Sequence, residues 1–508
     1  MILNLKDYRS RVLGCWMGKN IGGTLGAPME WRRQVNHVSF YTQELGGEAL
    51  PNDDLDIQLV WLVAMEERGV EINAQTLADY WCLYVAPHWS EYGTAKTNMR
   101  SGLMPPLSGT MRNDFKHSCG AFIRSEIWAC VAPGAPRLAA AYAYEDAILD
   151  HGNGEGTFGE LFCATLESAA FVVADLNELI EIGLSYIPEN CAVAGAVRCA
   201  VECHKHGKSW LEARDAVLRD WRGGTFFNNP ECTAEEDRAK GFHTGKLGFD
   251  VPSNIGMLAI GLLYGEGDFD KTLCTAVNCG EDTDCTGATA GSIFGIMHGI
   301  EAIPQRWIAP IGRAIKTICL NRGDLAGQLP ATVDAMTERT ERMARQVLAR
   351  HARHITLADA PTDLSDVKPQ DLRAGELRQR LADGLDGPTY RFDFFDVAVD
   401  YGPDGAIIRD GLPKTIRLRI ANTYKTQATL NVKWYAPDGA WRIAPTPEGV
   451  VFSFPRHLGK PDDLEFQLQV DRVPRNTNRL VVEITCDGRP TVMLVPIVLQ
   501  NGNLLPTT

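Results

Sequence analysis

Apolar residues in this chain change their spacing once, and that change limits how it can fold. Up to about residue 375 they recur at three- and four-residue intervals, around Leu55 to Met65, Gly159 to Ala174, Ile255 to Leu263 and Gly287 to Met297. That is the period of helices burying one face. After the turn-rich segment Ala382 to Pro388 the period falls to two, in runs rich in β-branched residues: Thr415 to Ile420, Leu430 to Tyr435, Leu464 to Val470 and Arg479 to Thr485. Turn signals such as Pro437-Asp438-Gly439 separate them. The expected architecture is an all-α domain over residues 1–380 and a smaller all-β sandwich of immunoglobulin or fibronectin size over 389–505. A length of 508 residues exceeds what one hydrophobic core supports, which agrees with two domains.

Charge and cysteine usage exclude several functions. A net charge of −14 opposes a nucleic-acid partner, which needs clustered Lys and Arg. The one basic run, Arg339 to Arg353, has helical spacing and reads as a solvated face. The first twenty residues carry Lys6, Asp7, Arg9 and Arg11 and no apolar signal core, and glycine interrupts the longest apolar stretches, so a soluble cytoplasmic protein with no membrane partner is expected. The 14 cysteines lack paired spacing, and reduced thiols rather than a zinc knuckle are expected.

Glycine recurs every fourth residue in two places, Gly14, Gly18, Gly22 and Gly26, and Gly287, Gly291, Gly295 and Gly299. Each glycine weakens a helix interior by about 0.5–1 kcal/mol relative to alanine, so two helices in backbone contact are the expected return.

Two helix starts carry more acid than capping requires. Asn52-Asp53-Asp54-Leu55-Asp56 precedes one amphipathic run and Glu281-Asp282-Thr283-Asp284-Cys285-Thr286 precedes the second glycine series. One or two acids satisfy the positive end of a helix dipole. The surplus, if the fold brings the two starts together, offers hard oxygen ligands that select Mg²⁺ or Mn²⁺, with Ca²⁺ also admissible, over Zn²⁺ or Cu²⁺.

The glycine-stepped run ending Gly26-Ala27-Pro28-Met29-Glu30, the Asn-Asp-Asp start and the Glu-Asp-Thr-Asp run, in this order, resemble the ADP-ribosylglycohydrolase family over residues 8 to 320. The resemblance implies an all-helical ADP-ribosylglycohydrolase-like domain, one or two Mg²⁺ or Mn²⁺ ions, and cleavage at C1 of a ribose. It places the family's Thr-Asp-Asp ligands on Asn52, Asp53 and Asp54, its Asp-x-Asp-Thr ligands on Asp282, Asp284 and Cys285, and its motif glutamate on Glu30. Cys285 stands where the family has threonine, and a thiol suits softer ions; Thr286 is the alternative ligand. Asp56 adds an acid that the family pattern lacks.

Two segments correspond to substrate-recognising loops of that family, and a third, aromatic and amide-bearing, reads from its own composition as a loop able to stack a base or sugar face. Cys119-Gly120-Ala121-Phe122-Ile123-Arg124, followed by Glu126, departs from the usual Asn-Gly-Ala-Ala-Met-Arg pattern. The loop Asp146 to Gly156 contains His151, Asn153 and Glu155, and the aromatic stretch Trp89 to Gly109 contains Tyr92, Asn98 and Arg100. Gly120, Glu126, His151, Asn153, Glu155, Tyr92, Asn98 and Arg100 are the expected substrate contacts. Glu30, Asp53, Asp54 and Asp56 are the expected catalytic carboxylates, with Glu126 a further acid or base.

Three functions follow: a metal-dependent hydrolase of an N- or O-glycosidic bond in a ribosyl or related sugar conjugate, an ADP-ribosyl-protein or ADP-ribosyl-nucleotide hydrolase, and a non-catalytic sugar-binding protein. The β module is compatible with carbohydrate binding, with homo-oligomer contact or with a lid.

Overall fold

The computed structural model describes residues 1–224, 230–325, 327–384 and 386–504. Helices dominate the first 350 or so residues and strands form the C-terminal region. No helix among the described residues is long and apolar enough to cross a membrane.

The chain divides into two compact units: residues 1–94 with 113–383, and residues 95–112 with 384–508. A linear division at about residue 380 is therefore too simple, because 95–112 belongs with the strands. The cause is apolar: Leu103, Leu107 and Met111 are buried in the same core as Phe395, Ile416 and Leu480.

In the first unit, helix Leu5–Gly26 runs antiparallel to helix Thr283–His298 with backbones touching. A Cβ on Gly18 would lie 2.1 Å from the carbonyl oxygen of Gly291, one on Gly22 2.0 Å from that of Gly287, and one on Gly295 2.1 Å from that of Gly14. The four-residue glycine series are thus the two faces of one contact. Its last step sets Gly26 against Thr283, whose hydroxyl donates to the Gly26 carbonyl at 2.8 Å. That step delivers the C-terminal end of one helix to the N-terminal end of the other.

The remaining expected helices form close to their sequence bounds, as Asp53–Arg68, Glu155–Ala170 and Val251–Tyr264. The basic run lies on helix Val333–His351, where Arg339 pairs with Glu66 and Arg350 with Glu71. The cysteines are free thiols.

The second unit is a sandwich of two five-stranded sheets around one core. One sheet orders Thr389–Phe392, Phe395–Asp400, Lys414–Asn422, Asp462–Gln469 and Arg442–Ala444; the other orders Ile407–Ile408, Val492–Asn501, Thr477–Cys486, Ala428–Tyr435 and Glu448–Ser453. Pairing is antiparallel except where Ile407–Ile408 meets Gln500–Asn501. Ile416, Leu418 and Ile420 point inward while Arg417 and Arg419 point outward, the alternation that the sequence pattern requires.

Candidate active site

Each acidic run is a helix start, and the glycine contact brings the two together. Asn52 caps helix Asp53–Arg68, its side-chain oxygen accepting the Asp54 N–H at 2.7 Å, so Asp53 and Asp54 occupy the first turn. Gly23 makes room for this cap: a Cβ there would sit 2.2 Å from the Asn52 amide nitrogen. Asp282 stands at the N-cap position of helix Thr283–His298 without a side-chain capping bond, and Asp284 lies in the first turn. The turn before it is held under strain, with Glu281 at φ 71°. Its N–H donates to the Arg32 carbonyl at 2.9 Å and its carboxylate accepts the buried Arg33 guanidinium, one arm at 2.9 Å.

The result is a cleft of about 520 Å³ lined by Glu30, Asn52, Asp53, Asp282, Asp284 and Cys285, with Glu91, Tyr92, Ser118, Cys119, Gly120 and Asp250 among its other walls. Trp31 and Trp89, each close to half exposed, also line it. Ligand atoms of Asp54, Asp284 and Cys285 lie within 4.8 Å of one another, as do those of Glu30, Asp282 and Asp284, and those of Cys119, Asp250 and Asp282.

These carboxylates fit a cation. Both side-chain oxygens of Asp54 and one each of Asp282 and Asp284 are buried with no hydrogen-bond partner. A buried carboxylate without partner is costly, and either a proton or a cation must compensate it. Burial, with the charge of Glu30 near Asp282 and of Asp282 near Asp284, accordingly drives both carboxyls far above the usual carboxylate range. Burial lifts Asp54 to about 7 against the opposing charge of Lys19, and burial with Asp284, Asp53 and Asp54 lifts Glu30 to about 10.

Raised folded-state values mean that the cation-free protein gains stability from these groups in acid and loses it as pH rises. The contribution is complete below the ordinary values of 3.8 and 4.5 and disappears through about 7 for Asp54 and about 10 for Glu30. Melting curves in chelator should therefore fall between pH 5 and pH 9. Saturating divalent ion should flatten the slope, and equal slopes with and without ion would contradict the assignment.

One expected catalytic carboxylate and several expected substrate contacts lie behind the cleft and hold its walls. Asp56 does not line the cleft: its carboxylate accepts the N–H groups of Ile318 and Cys319 at 2.8 and 2.7 Å, fixing the segment that brings Ile318 to the wall. Glu126 is fully buried, paired with Lys19 at 2.7 Å and bonded to Gln58 at 2.9 Å. Replacing Lys19 by methionine would leave Glu126 buried and unpaired, and unfolding should become easier by about 3–5 kcal/mol in denaturant titrations.

Glu155 accepts the N–H groups of Ala192 and Val193, both at 3.0 Å, and thereby caps helix Ala192–Lys205. Asn153 is exposed and meets Lys116 at 3.4 Å. Asn98 and exposed Arg100 belong to the second unit, where the Asn98 amide donates to the Ser108 and Met111 carbonyls at 2.9 and 2.8 Å. Of the eight, Tyr92 and Gly120 line the cleft: the Tyr92 hydroxyl donates to Asp53 at 3.3 Å, and a Cβ on Gly120 would strike Glu91 at 2.2 Å.

His151 acts one layer behind. Its Nδ1 meets Asp150 at 2.7 Å and its Nε2 meets the hydroxyl of Ser118 at 3.2 Å, while Arg124 grips Asp150 at 2.7 and 3.0 Å. The line Arg124, Asp150, His151, Ser118 orients one hydroxyl on the cleft wall. Ser118, Glu91, Cys119 and Asp250 were not singled out as site residues by the sequence. Asp250 stands at the N-cap position of helix Val251–Tyr264 without a side-chain capping bond, and a lone acid before a Val-Pro start reads in sequence as a cap; its place on the cleft wall needs the neighbouring Asp282 to become visible.

A model of the ADP-ribosylglycohydrolase family matches residues 4–350. The chain belongs to the ADP-ribosylglycohydrolase family. Membership supports a glycohydrolase-type enzyme, and the acidic clusters supply residues able to bind metal. No curated protein matches the chain. Similar solved structures include a FixG-related protein from Vibrio parahaemolyticus, 12% identical over 22% of this chain and 98% of its own, with a TM-score of 0.18. The PapD-like domain 7 of human CEP192 is 13% identical over 21% of this chain and 82% of its own, with a TM-score of 0.16. The MSP family member WR4 of C. elegans is 11% identical over 22% and 97%, with a TM-score of 0.14. Likenesses this slight carry no argument about fold or function.

Proposed function

We propose that the chain is a divalent-cation-dependent hydrolase of an N- or O-glycosidic bond at the anomeric carbon of a ribosyl or related sugar conjugate. The observation that carries this reading is the set of buried, unpartnered oxygens of Asp54, Asp282 and Asp284 facing one another across two helix starts. Asp54, Asp284 and Cys285, with Glu30 and Asp282 beside them, would hold the ion, and the predominance of carboxylate oxygen favours Mg²⁺ or Mn²⁺. When bound, such an ion supplies Lewis acidity toward sugar hydroxyls and compensates the clustered charge.

The protein's own groups do the rest. Glu30 borders the cleft beside Asp282 and Asp284, so it is the group placed to give a proton to a leaving group and to take one from water. Asp53, oriented by Tyr92, adds negative charge where an oxocarbenium-like centre would develop. Asp56 and Glu126 are tied to backbone and to Lys19, away from the cleft wall.

Two indoles at the mouth, Trp31 and Trp89, favour a substrate carrying a flat group, and an ADP-ribosyl conjugate is the second reading for that reason. Screening ADP-ribosyl-arginine, ADP-ribosyl-serine and simple ribosides with Mg²⁺ or Mn²⁺ separates the two. Thermal shift provides the prior check: the parent should be stabilised by Mg²⁺ or Mn²⁺ and Asp284→Ala should lose most of that gain. A parent indifferent to every divalent ion would sink the proposal.

A further inference from the structure

Charge in the cleft wall runs almost wholly one way. The carboxyl groups of Glu30, Asp53, Glu91, Asp250, Asp282 and Asp284 line it, beside Glu281, which Arg33 pairs. Among the described lining residues Arg33 is the one Lys or Arg, and its five N–H groups are spent. Nε and Nη2 donate to Glu281, Nη2 also to the Gly223 carbonyl, and Nη1 to the carbonyls of Phe242 and Gly223. Lys116 and Lys246 adjoin wall residues in the chain but are engaged elsewhere. The Lys116 ammonium meets Asn153 at 3.4 Å, and that of Lys246 lies 5.4 Å from the centre of the Phe249 ring. A phosphate entering this lining would meet like charge and no uncommitted side-chain cation.

The mouth carries the complementary feature. Trp31 and Trp89 line it at 45% and 48% exposure. Each lies at a strained point of the backbone: Trp31 has φ 59°, and Ser90, directly after Trp89, has φ 44°. Strain of this kind persists where the surrounding structure holds it, and it collects at ligand sites. On one side the Arg32 N–H donates to the Met29 carbonyl at 3.3 Å. On the other the Gly93 N–H donates to the Trp89 carbonyl at 2.9 Å, and the Trp89 ring lies 6.3 Å from that of Tyr92, whose hydroxyl reaches Asp53. Indole faces attract cations, and a cleft lined by carboxylates concentrates them.

We propose that the cleft selects a phosphate-free N-glycoside whose aglycone is a flat cation, an N-ribosylpyridinium being the simplest case, with the cationic ring against Trp31 and Trp89 and the sugar toward the carboxylates. Such an aglycone departs as a neutral base that keeps the electron pair of its C1–N bond. Water adds its oxygen to C1 and releases one proton to solvent. An ADP-ribosyl conjugate would instead bring two phosphates into the same lining. The inference rests on the reading of the cleft as a glycosidic hydrolase, and it specifies the conjugate.

Bound pyridinium quenches tryptophan emission, which supplies the test. The probe is the carbocyclic analogue of N-ribosylpyridinium, which keeps the hydroxyls and resists cleavage. With the full-length protein in saturating Mg²⁺ it should quench saturably. Its 5′-phosphate, and the neutral phenyl analogue read by competition, should bind roughly tenfold more weakly or worse. Trp31→Ala and Trp89→Ala should each weaken the pyridinium about threefold or more and keep the parent's thermal response to Mg²⁺. No saturable quenching in the parent, phosphate or neutral analogue bound as tightly as the pyridinium, or unchanged affinity in both tryptophan variants overturns the proposal. Hydrolysis is scored separately on the ribosides themselves. Cleavage without the charge preference overturns this inference and leaves the hydrolase reading standing, and charge-selective binding without cleavage does the reverse.

Discussion

Replacing Asp284 by alanine is expected to abolish glycosidic hydrolysis while raising the melting temperature of the chelator-treated protein. The two effects share one origin. Asp284 is buried beside Asp282, Asp54 and Asp53 and is pushed far above the usual carboxylate range by burial first and by those neighbours next. Without a cation it costs the fold free energy near neutral pH, and its removal relieves that cost by on the order of 1 kcal/mol, a rise of about 2 °C. With a cation it is a ligand, and losing several kcal/mol of charge stabilisation at the reacting centre lowers kcat/KM by roughly 10³-fold or more. Calorimetry in chelator and in Mg²⁺, beside a hydrolysis assay, reads both. A variant that melts lower in chelator and keeps its activity would refute the assignment.

The second large effect concerns Gly18, far from any carboxylate. A Cβ there would lie 2.1 Å from the Gly291 carbonyl oxygen and 2.4 Å from its carbon, and both are backbone atoms that no rotamer change can move aside. Overpacking a well-filled core costs about 1–3 kcal/mol and occasionally more. With backbone on both sides, Gly18→Ala should reach about 3 kcal/mol or leave the protein insoluble. Gly46, with nothing within 4 Å of a Cβ, supplies the control, and Gly46→Ala should stay within about 0.5 kcal/mol. Similar denaturant midpoints for the two variants would show that the helices do not meet as described.

The sequence displayed the two secondary-structure regimes, the glycine contact and the two acidic helix starts, because each is periodic or local. It displayed the division of the chain less well. Most of residues 95–112 reads in sequence as part of a polar, aromatic loop, and the segment's allegiance to the β unit depends on where Leu103, Leu107 and Met111 find apolar neighbours. Side-chain roles were the least legible. Asp56 and Asp53 are three positions apart on one helix, yet one ties down the backbone at Ile318 and Cys319 while the other faces the cleft. Glu126, Glu155 and His151 are polar residues in segments rich in glycine or aromatics, the usual appearance of a binding loop. Their partners, Lys19, the Ala192 N–H and Asp150, include groups far away in sequence as well as next door. Cys119 and Asp250 became visible together only once Gly248 had brought their loops into contact.

The glycine contact also bears on how the chain recognises its own correct alignment. Gly14, Gly18, Gly22 and Gly26 oppose Gly295, Gly291, Gly287 and Thr283, so a slip of one four-residue step would set Gly18, Gly22 and Gly26 against Gly295, Gly291 and Gly287. Smooth backbone would again meet smooth backbone. Close packing alone therefore discriminates poorly between these alignments, much as a ruler with identical marks measures intervals but not position. What distinguishes them lies at the ends: such a slip displaces Glu30 from Asp282 and Asp284 by about 6 Å and breaks the hydrogen bond from Thr283 to Gly26. An ion that needs carboxylates from both helix ends binds in one alignment and not in the other, so the ligand of the site would double as the proofreader of the fold.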